Sequence, residues 1–280
     1  MIANARMYAV TPAVAQAWRS LLLRVGEIAG VSWDYVEHAA PAPVAALWDR
    51  DDLGAAFMCG LPYITRAHKA LAIHTAPPVI LAAPVPAPAR YAAQPVYFTE
   101  FVARRDAGFS DLAATFGHRL AHMLPESNSG FNAPRHHLMS LAPAGQTSLF
   151  AATAAPTTTP MAVLRAVLDG QAEVGVVDSY VLDLLRHHTP ELMAPLVSLE
   201  NTIASPIPLL VASPSQAPDV TQRVRQALLS AHEDAVCATA MDRLLLQRFT
   251  SAEPETYEVL AEREATANRA GFALTTSRDA

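Results

Sequence analysis

Apolar and polar positions along this chain follow two rhythms that trade places nearly from end to end. Short, continuous apolar blocks bounded by proline, glycine or polar residues predict strands at 5–10, 31–37, 53–58, 79–85, 96–103, 119–124, 148–152, 173–177 and 206–212. Between them, apolar positions recur every three to four residues. This spacing predicts helices at 12–28, 44–48, 62–70, 129–141, 161–168 and 181–186, with a helical turn at 110–112. The remainder, from about 218, reads as mostly helical with a break near Pro254. Local punctuation supports the boundaries. Thr11 before Pro12 is an N-cap followed by proline at the first helical position, and Asp169-Gly170 ends the helix opened by Thr159-Pro160.

Regular strand–helix alternation implies an α/β protein with a mostly parallel sheet covered on both faces. Ligands of such sheets sit at the carboxyl ends of the strands. Three predicted strand ends carry polar clusters: Ser127-Asn128-Ser129, Thr157-Thr158-Thr159 and Asp178-Ser179-Tyr180. The first is followed by Gly130 and a predicted helix. A strand, a small polar turn and a helix N-terminus make an anion site, because the first amides of a helix lack internal partners and carry its positive pole. Ser127, Asn128 and Ser129 therefore read as ligand donors, with plain helix capping as the alternative. Thr158 and Thr159 divide equally between the same two roles. Asp178 reads as a helix cap or as an acceptor for a ligand donor.

Length and composition narrow the picture. A chain of 280 residues exceeds what one hydrophobic core usually holds, so two lobes are expected. An apolar fraction of 51% against 16% charged residues excludes a disordered chain. The net charge of −6 and the lack of a basic stripe argue against a nucleic-acid partner. An anionic ligand must then be held by local dipoles. Lys69 is the only lysine, which argues against a buried Schiff-base lysine. Cys59 and Cys237 supply neither a disulfide framework nor zinc-ligand spacing. The pairs His136-His137 and His187-His188 point about 100° apart on a helix and are not read as metal ligands. No cofactor or metal is expected. Residues 1–10 show no secretory leader, so the chain as written reads as cytoplasmic, or as periplasmic if an upstream signal peptide is missing.

The motifs together resemble the phosphonate- and phosphate-binding subunits of ABC importers. Ser127-Asn128-Ser129-Gly130 is similar to that family's Ser-Thr-Ser-Gly anion loop, with an amide in place of the middle hydroxyl. The run from Gly170 to Asp178 resembles its Gly-x-Ala-Asp-(apolar)₃-Asp segment. Asp52 to Phe57 with Tyr63, and Tyr97, resemble the segments that offer tyrosines to the ligand. Thr157-Thr158-Thr159-Pro160 stands where the family often has Gly-Ser-His, so that histidine is missing here.

The resemblance implies a two-lobed type II periplasmic-binding-protein-like α/β fold, with mixed sheets flanked by helices and two crossing strands as a hinge. Lobe one would be residues 1–98 plus 204–280, and lobe two 99–203, carrying the Ser-Asn-Ser-Gly loop. The implied function is capture of a small anionic or zwitterionic solute between the lobes, by a monomer, for an ABC permease. The implied ligand contacts are Tyr63, Tyr97, Ser127, Asn128, Ser129, Thr158, Thr159 and Asp178. Two alternatives stand beside it: a cytosolic ligand sensor, and an enzyme of transferase or cofactor-precursor-synthase type. The enzyme needs a base, for which His118, His122 and His136 are the nearby candidates.

Overall fold

Thr11 and Pro12 open the first long helix of the computed structural model, which describes residues 1–152 and 157–276. The Thr11 hydroxyl accepts from Val14 N, and Gly30 ends the helix in the left-handed conformation that glycine adopts without strain. This helix, α1 (Pro12–Ala29), follows the short strand β1 (Ile2–Asn4). The expected strand at 5–10 is instead a 3-10 turn over Arg6–Tyr8. Its cause is local: Asn4 Oδ1 accepts from Arg6 N at 2.8 Å and turns the chain out of the sheet. There follow β2 (Asp34–Tyr35), α2 (Ala45–Trp48), β3 (Leu53–Met58), α3 (Gly60–Ala72) and β4 (Val79–Pro86).

The chain then passes through β5 (Val96–Tyr97) into a second compact unit. This unit holds β6 (Thr99–Arg104), β7 (Arg119–Ala121), α4 (Ala133–Leu141), β8 (Ala151–Ala152), α5 (Pro160–Leu168) and β9 (Val174–Asp178). It continues with α6 (Ser179–His188), α7 (Pro190–Met193) and β10 (Leu196–Asn201). The chain leaves through β11 (Ser205–Pro206) and completes the first unit with β12 (Leu209–Ala212), α8 (Pro218–Leu229), α9 (Ala235–Arg243) and β13 (Leu246–Thr250). After Tyr257 it returns to the second unit as α10 (Glu258–Arg269).

Unit one, residues 1–96 and 206–257, is built on a six-stranded sheet of order β13-β4-β12-β3-β1-β2. Unit two, residues 97–205 and 258–276 as described, is built on a five-stranded sheet of order β10-β6-β9-β7-β8. The sheets are mixed, not mostly parallel. β1 runs parallel to β2 and β3, and β7 parallel to β8 and β9. β12 runs against β3 and β4, and β6 against β9 and β10. β6 and β12 are the first strands of the two large sheets laid down after the first two passages between units, and their direction is not encoded in a local strand–helix rhythm.

Besides β1, which precedes the expected strand at 5–10, two strands stand outside the predicted set, β10 and β13. Both lie at sheet edges. Their sequences, Leu-Val-Ser-Leu-Glu-Asn and Leu-Gln-Arg-Phe-Thr, mix polar and apolar residues as half-solvated edges do. The expected strand at 206–212 shrinks to β12, since Pro206 and Pro208 offer no amide to a ladder.

The core of unit one includes an aromatic cluster in which Tyr8 and Trp18 each meet Phe57 edge-on, at ring distances of 5.0 and 4.9 Å. In unit two Phe101, Leu120, Leu138, Phe150, Val174 and Val176 pack together, joined by Phe272 and Leu274 from beyond α10. This apolar tail places residues 258–276 in unit two, against their expected place in lobe one; residues 277–280 lie outside the described residues. No described helix is long and apolar enough to cross a membrane.

Asp234 caps α9, accepting from Val236 N and Cys237 N, and pairs with Arg24 of α1 at 2.7 Å. The Arg24 guanidinium and these amides hold its carboxyl far below the usual carboxylate range. A depressed carboxylate adds stability above the unfolded pKa and loses it as pH falls. Asp234→Asn is therefore expected to lower the melting temperature at neutral pH, with the gap to wild type closing on acidification. A gap independent of pH would show that the charge is immaterial.

Candidate ligand-binding site

β7, β8 and β9 run side by side in the same direction, and each is followed by a helix. Three helix N-termini therefore gather at one edge of the unit-two sheet, the edge at which parallel strands end. A parallel bridge between Met123 and Thr157 extends the β7–β8 pairing beyond the named strands. Thr157 N and Oγ1 donate to His122 O at 2.8 and 3.2 Å. Thr99, paired in register with Asp178, donates its hydroxyl to Ser129 O at 2.8 Å. These bonds tie the three polar strand ends to one another.

The loop after β7 enters α4 through a π-helical turn, Asn128–Asn132. Proline at Pro134 and the wide turn together set this entry. Ser127 Oγ accepts from Gly130 N at 3.0 Å, and Asn132 N reaches back to Ser127 O at 3.0 Å. Wide turns of this kind occur often at functional sites. Gly130 has a second role: a Cβ there would lie 2.5 Å from Met123 Cβ. Met123 N also donates to Gly130 O at 2.9 Å, so the two backbones are held in close approach.

Ser129 is the residue on which the site turns. It is 9% exposed, and among the described residues neither its hydroxyl nor its amide has a hydrogen-bond partner. Here an amide and a hydroxyl of one residue stand together at a positive helix terminus, which is the chemistry that receives an oxyanion.

The other expected contacts divide into three groups. Ser127, Thr159 and Asp178 act as helix caps: Thr159 accepts from Ala162 N at 3.1 Å, and Asp178 from Tyr180 N and Val181 N at 2.8 and 3.2 Å. A capping hydroxyl still has its own proton to donate. Asn128 and Tyr97 are buried and meet each other, Asn128 Nδ2 donating to the Tyr97 hydroxyl at 2.9 Å. Thr158 is exposed, beside Thr159. Tyr63 belongs to unit one, where its ring meets Tyr257 edge-on at 5.6 Å. Burial, with Glu255 and Glu253 nearby, pushes its phenol up to about 12.

Sequence reasoning passed over Thr99 and Asn132. Thr99 sits inside a predicted strand and Asn132 inside a predicted helix, so neither stands out by position. Of the three histidines weighed as bases, His122 is buried, its Nδ1 facing Met123 O at 2.8 Å and its ring facing Phe131 at 5.6 Å. Burial holds this imidazole below the ordinary histidine value and so favours the neutral form. His136 is shifted the same way, by burial and by the nearby Arg263 charge. Among the described residues there is no cluster of three or more His, Cys, Asp or Glu that would hold a metal ion.

A binding protein component of an ABC phosphonate transporter from Pseudomonas aeruginosa has a similar fold: TM-score 0.76 at 16% identity, covering 96% of this chain and 86% of that one. PhnD1 from Prochlorococcus marinus, solved in complex with methylphosphonate, gives a TM-score of 0.75 at 15% identity, covering 96% and 98%. A Xanthomonas citri protein bound to ATP gives 0.62 at 18% identity, covering 96% and 97%. No curated protein matches the chain. The sequence pattern of one family, described as the periplasmic substrate-binding protein of the phosphonate ABC transporter, matches residues 9–257. With mixed sheets, helix termini gathered on one edge and a match over most of its length, the chain belongs to this phosphonate-binding periplasmic substrate-binding family.

Proposed function

We propose that the chain captures a small phosphonate or phosphate-like anion at the edge of the unit-two sheet and delivers it to an ABC permease, acting by binding without chemistry of its own. The observation that carries this reading is Ser129, whose hydroxyl and amide at the mouth of the π-turn have no hydrogen-bond partner among the described residues. Thr158 and Thr159 add hydroxyl protons from the same edge, and Ser127 adds one by giving up its long 3.9 Å contact to Met123 Sδ. Asp178, at the end of β9, favours a ligand that brings a donor as well as an anion, since a dianion alone would be repelled. Periplasmic location and a monomeric state fit this function.

In this reading the hydroxyls and the helix-terminus amides of unit two supply affinity through hydrogen bonds. Ser129→Ala removes one such bond to a charged group, worth about 1.5–3 kcal/mol. The expected result is roughly a 10- to 150-fold weaker Kd for methylphosphonate by calorimetry, with the melting temperature of the free protein unchanged. Equal affinity in variant and wild type would remove this loop from the binding site.

A further inference from the structure

Asn132 is 1% exposed, and its side chain joins segments far apart in the chain. Its Nδ2 donates to Asn128 Oδ1 at 3.2 Å and to Leu260 O of α10 at 3.1 Å. Asn128 in turn reaches the Tyr97 hydroxyl. One turn further along α10, Arg263 donates from Nη1 to Ser205 Oγ at 2.8 Å and from Nη2 to Ala204 O at 3.1 Å.

Tyr97 and Ser205 are the unit-two ends of two passages of the chain between units, and α10 begins at the third. The contacts thus close a ring: Tyr97, Asn128, Asn132, α10, Arg263 and Ser205, whose strand β11 pairs with the β5 strand of Tyr97. Two members of the ring, Asn128 and Asn132, bracket Ser129.

We infer that Asn132 and Arg263 are positioning residues that couple the Ser127–Gly130 loop to the segments by which the chain passes between its units. The value of this coupling to ligand capture rests on the function proposed above; the coupling itself does not. Most members are buried, where hydrogen bonds gain strength and chains of them act together. The links are also directional. Asn132 uses its donor end twice, while its buried Oδ1 has no partner among the described residues, so there the donors fix the side chain. Arg263 grips two successive residues, which fixes the backbone of Ala204 and Ser205 in orientation as well as distance. A change at the loop is transmitted to Ser205 through the rigid turn of α10 that separates Leu260 from Arg263.

Hydrogen exchange on the full chain, without ligand, tests the ring. Asn132→Leu keeps the shape and removes both donors together with the orphaned acceptor. It is expected to raise exchange at least fivefold at residues 203–205, beyond its own surroundings. Arg263→Met is expected to do the same at residues 127–132, and Arg263→Lys to recover part of the protection. Effects confined to the neighbourhood of each substitution would overturn the proposal. Should Asn132→Leu fail to fold, Tyr97→Phe breaks the ring at another point and is expected to raise exchange at 127–132; no change there would count equally against coupling. With saturating methylphosphonate as probe, exchange should slow at 127–132 and 203–205 in wild type, and at 127–132 alone in Arg263→Met. Methylphosphonate leaving the loop unprotected would defeat the ligand assignment, while the ligand-free comparison would still decide the ring.

Discussion

Arg186→Met is expected to lower the unfolding free energy by about 3 kcal/mol, the low end for removing one partner of a buried ion pair. Glu100 on β6 is 1% exposed and takes two hydrogen bonds from the Arg186 guanidinium, Nη2 to Oε2 at 2.6 Å and Nη1 to Oε1 at 3.0 Å. The Ser198 hydroxyl of β10 also donates to Glu100, and Arg186 Nη2 donates to Ser198 Oγ at 2.9 Å. This group staples α6 and the edge strand β10 onto β6. Methionine keeps most of the apolar stem but leaves the carboxylate buried without its cation. Partial solvent access to Arg186, 36% of its side chain, is why the low end applies. Urea unfolding gives the number. The double variant Glu100→Gln/Arg186→Met should recover much of the loss, since no charge is then stranded. A single variant as stable as wild type would mean that water reaches Glu100 freely.

Gly130→Ala is expected to cost about 1–3 kcal/mol of stability through overpacking, and to weaken methylphosphonate binding more than Ser129→Ala does. The added methyl would lie 2.5, 2.6 and 2.8 Å from Met123 Cβ, Cγ and Sδ. The far end of a methionine can rotate away. Its Cβ cannot, because the Met123 backbone is bonded to Gly130 O. Relief must come from the π-turn itself, which carries the Ser129 amide. A thermal melt and a binding isotherm on the same preparation test both parts. Unchanged affinity alongside a lowered melting temperature would separate the turn from the site.

The fold was legible where a residue's local role and its tertiary role coincide. Thr11-Pro12 caps α1 in any surroundings, and the run from Leu53 to Met58 is apolar because it lies in the middle of a sheet. Legibility failed where the tertiary setting decides. β10 and β13 are edges whose polar residues face water, and the direction of β6 and β12 follows from passages between units. The site shows the same division. The cluster of polar residues before Gly130 marks the loop by composition alone, and the capping reading of Ser127 is the one its bonds display: its oxygen accepts from Gly130 N and its hydroxyl donates to Met123 Sδ at 3.9 Å. Asn132 and Thr99 act through partners 128 and 30 residues away, and no local pattern announces such a bond.

The return of α10 to the second unit also bears on how the protein is made. Asn132 cannot meet Leu260 until a further 128 residues have been added. At about 5–20 residues per second of synthesis, that is a wait of roughly 6–25 s during which unit two exists without its last helix. Unit one is likewise unfinished until β13 has emerged. Long-range pairing of this kind slows folding. The nascent chain therefore cannot complete either unit until its last quarter has been made.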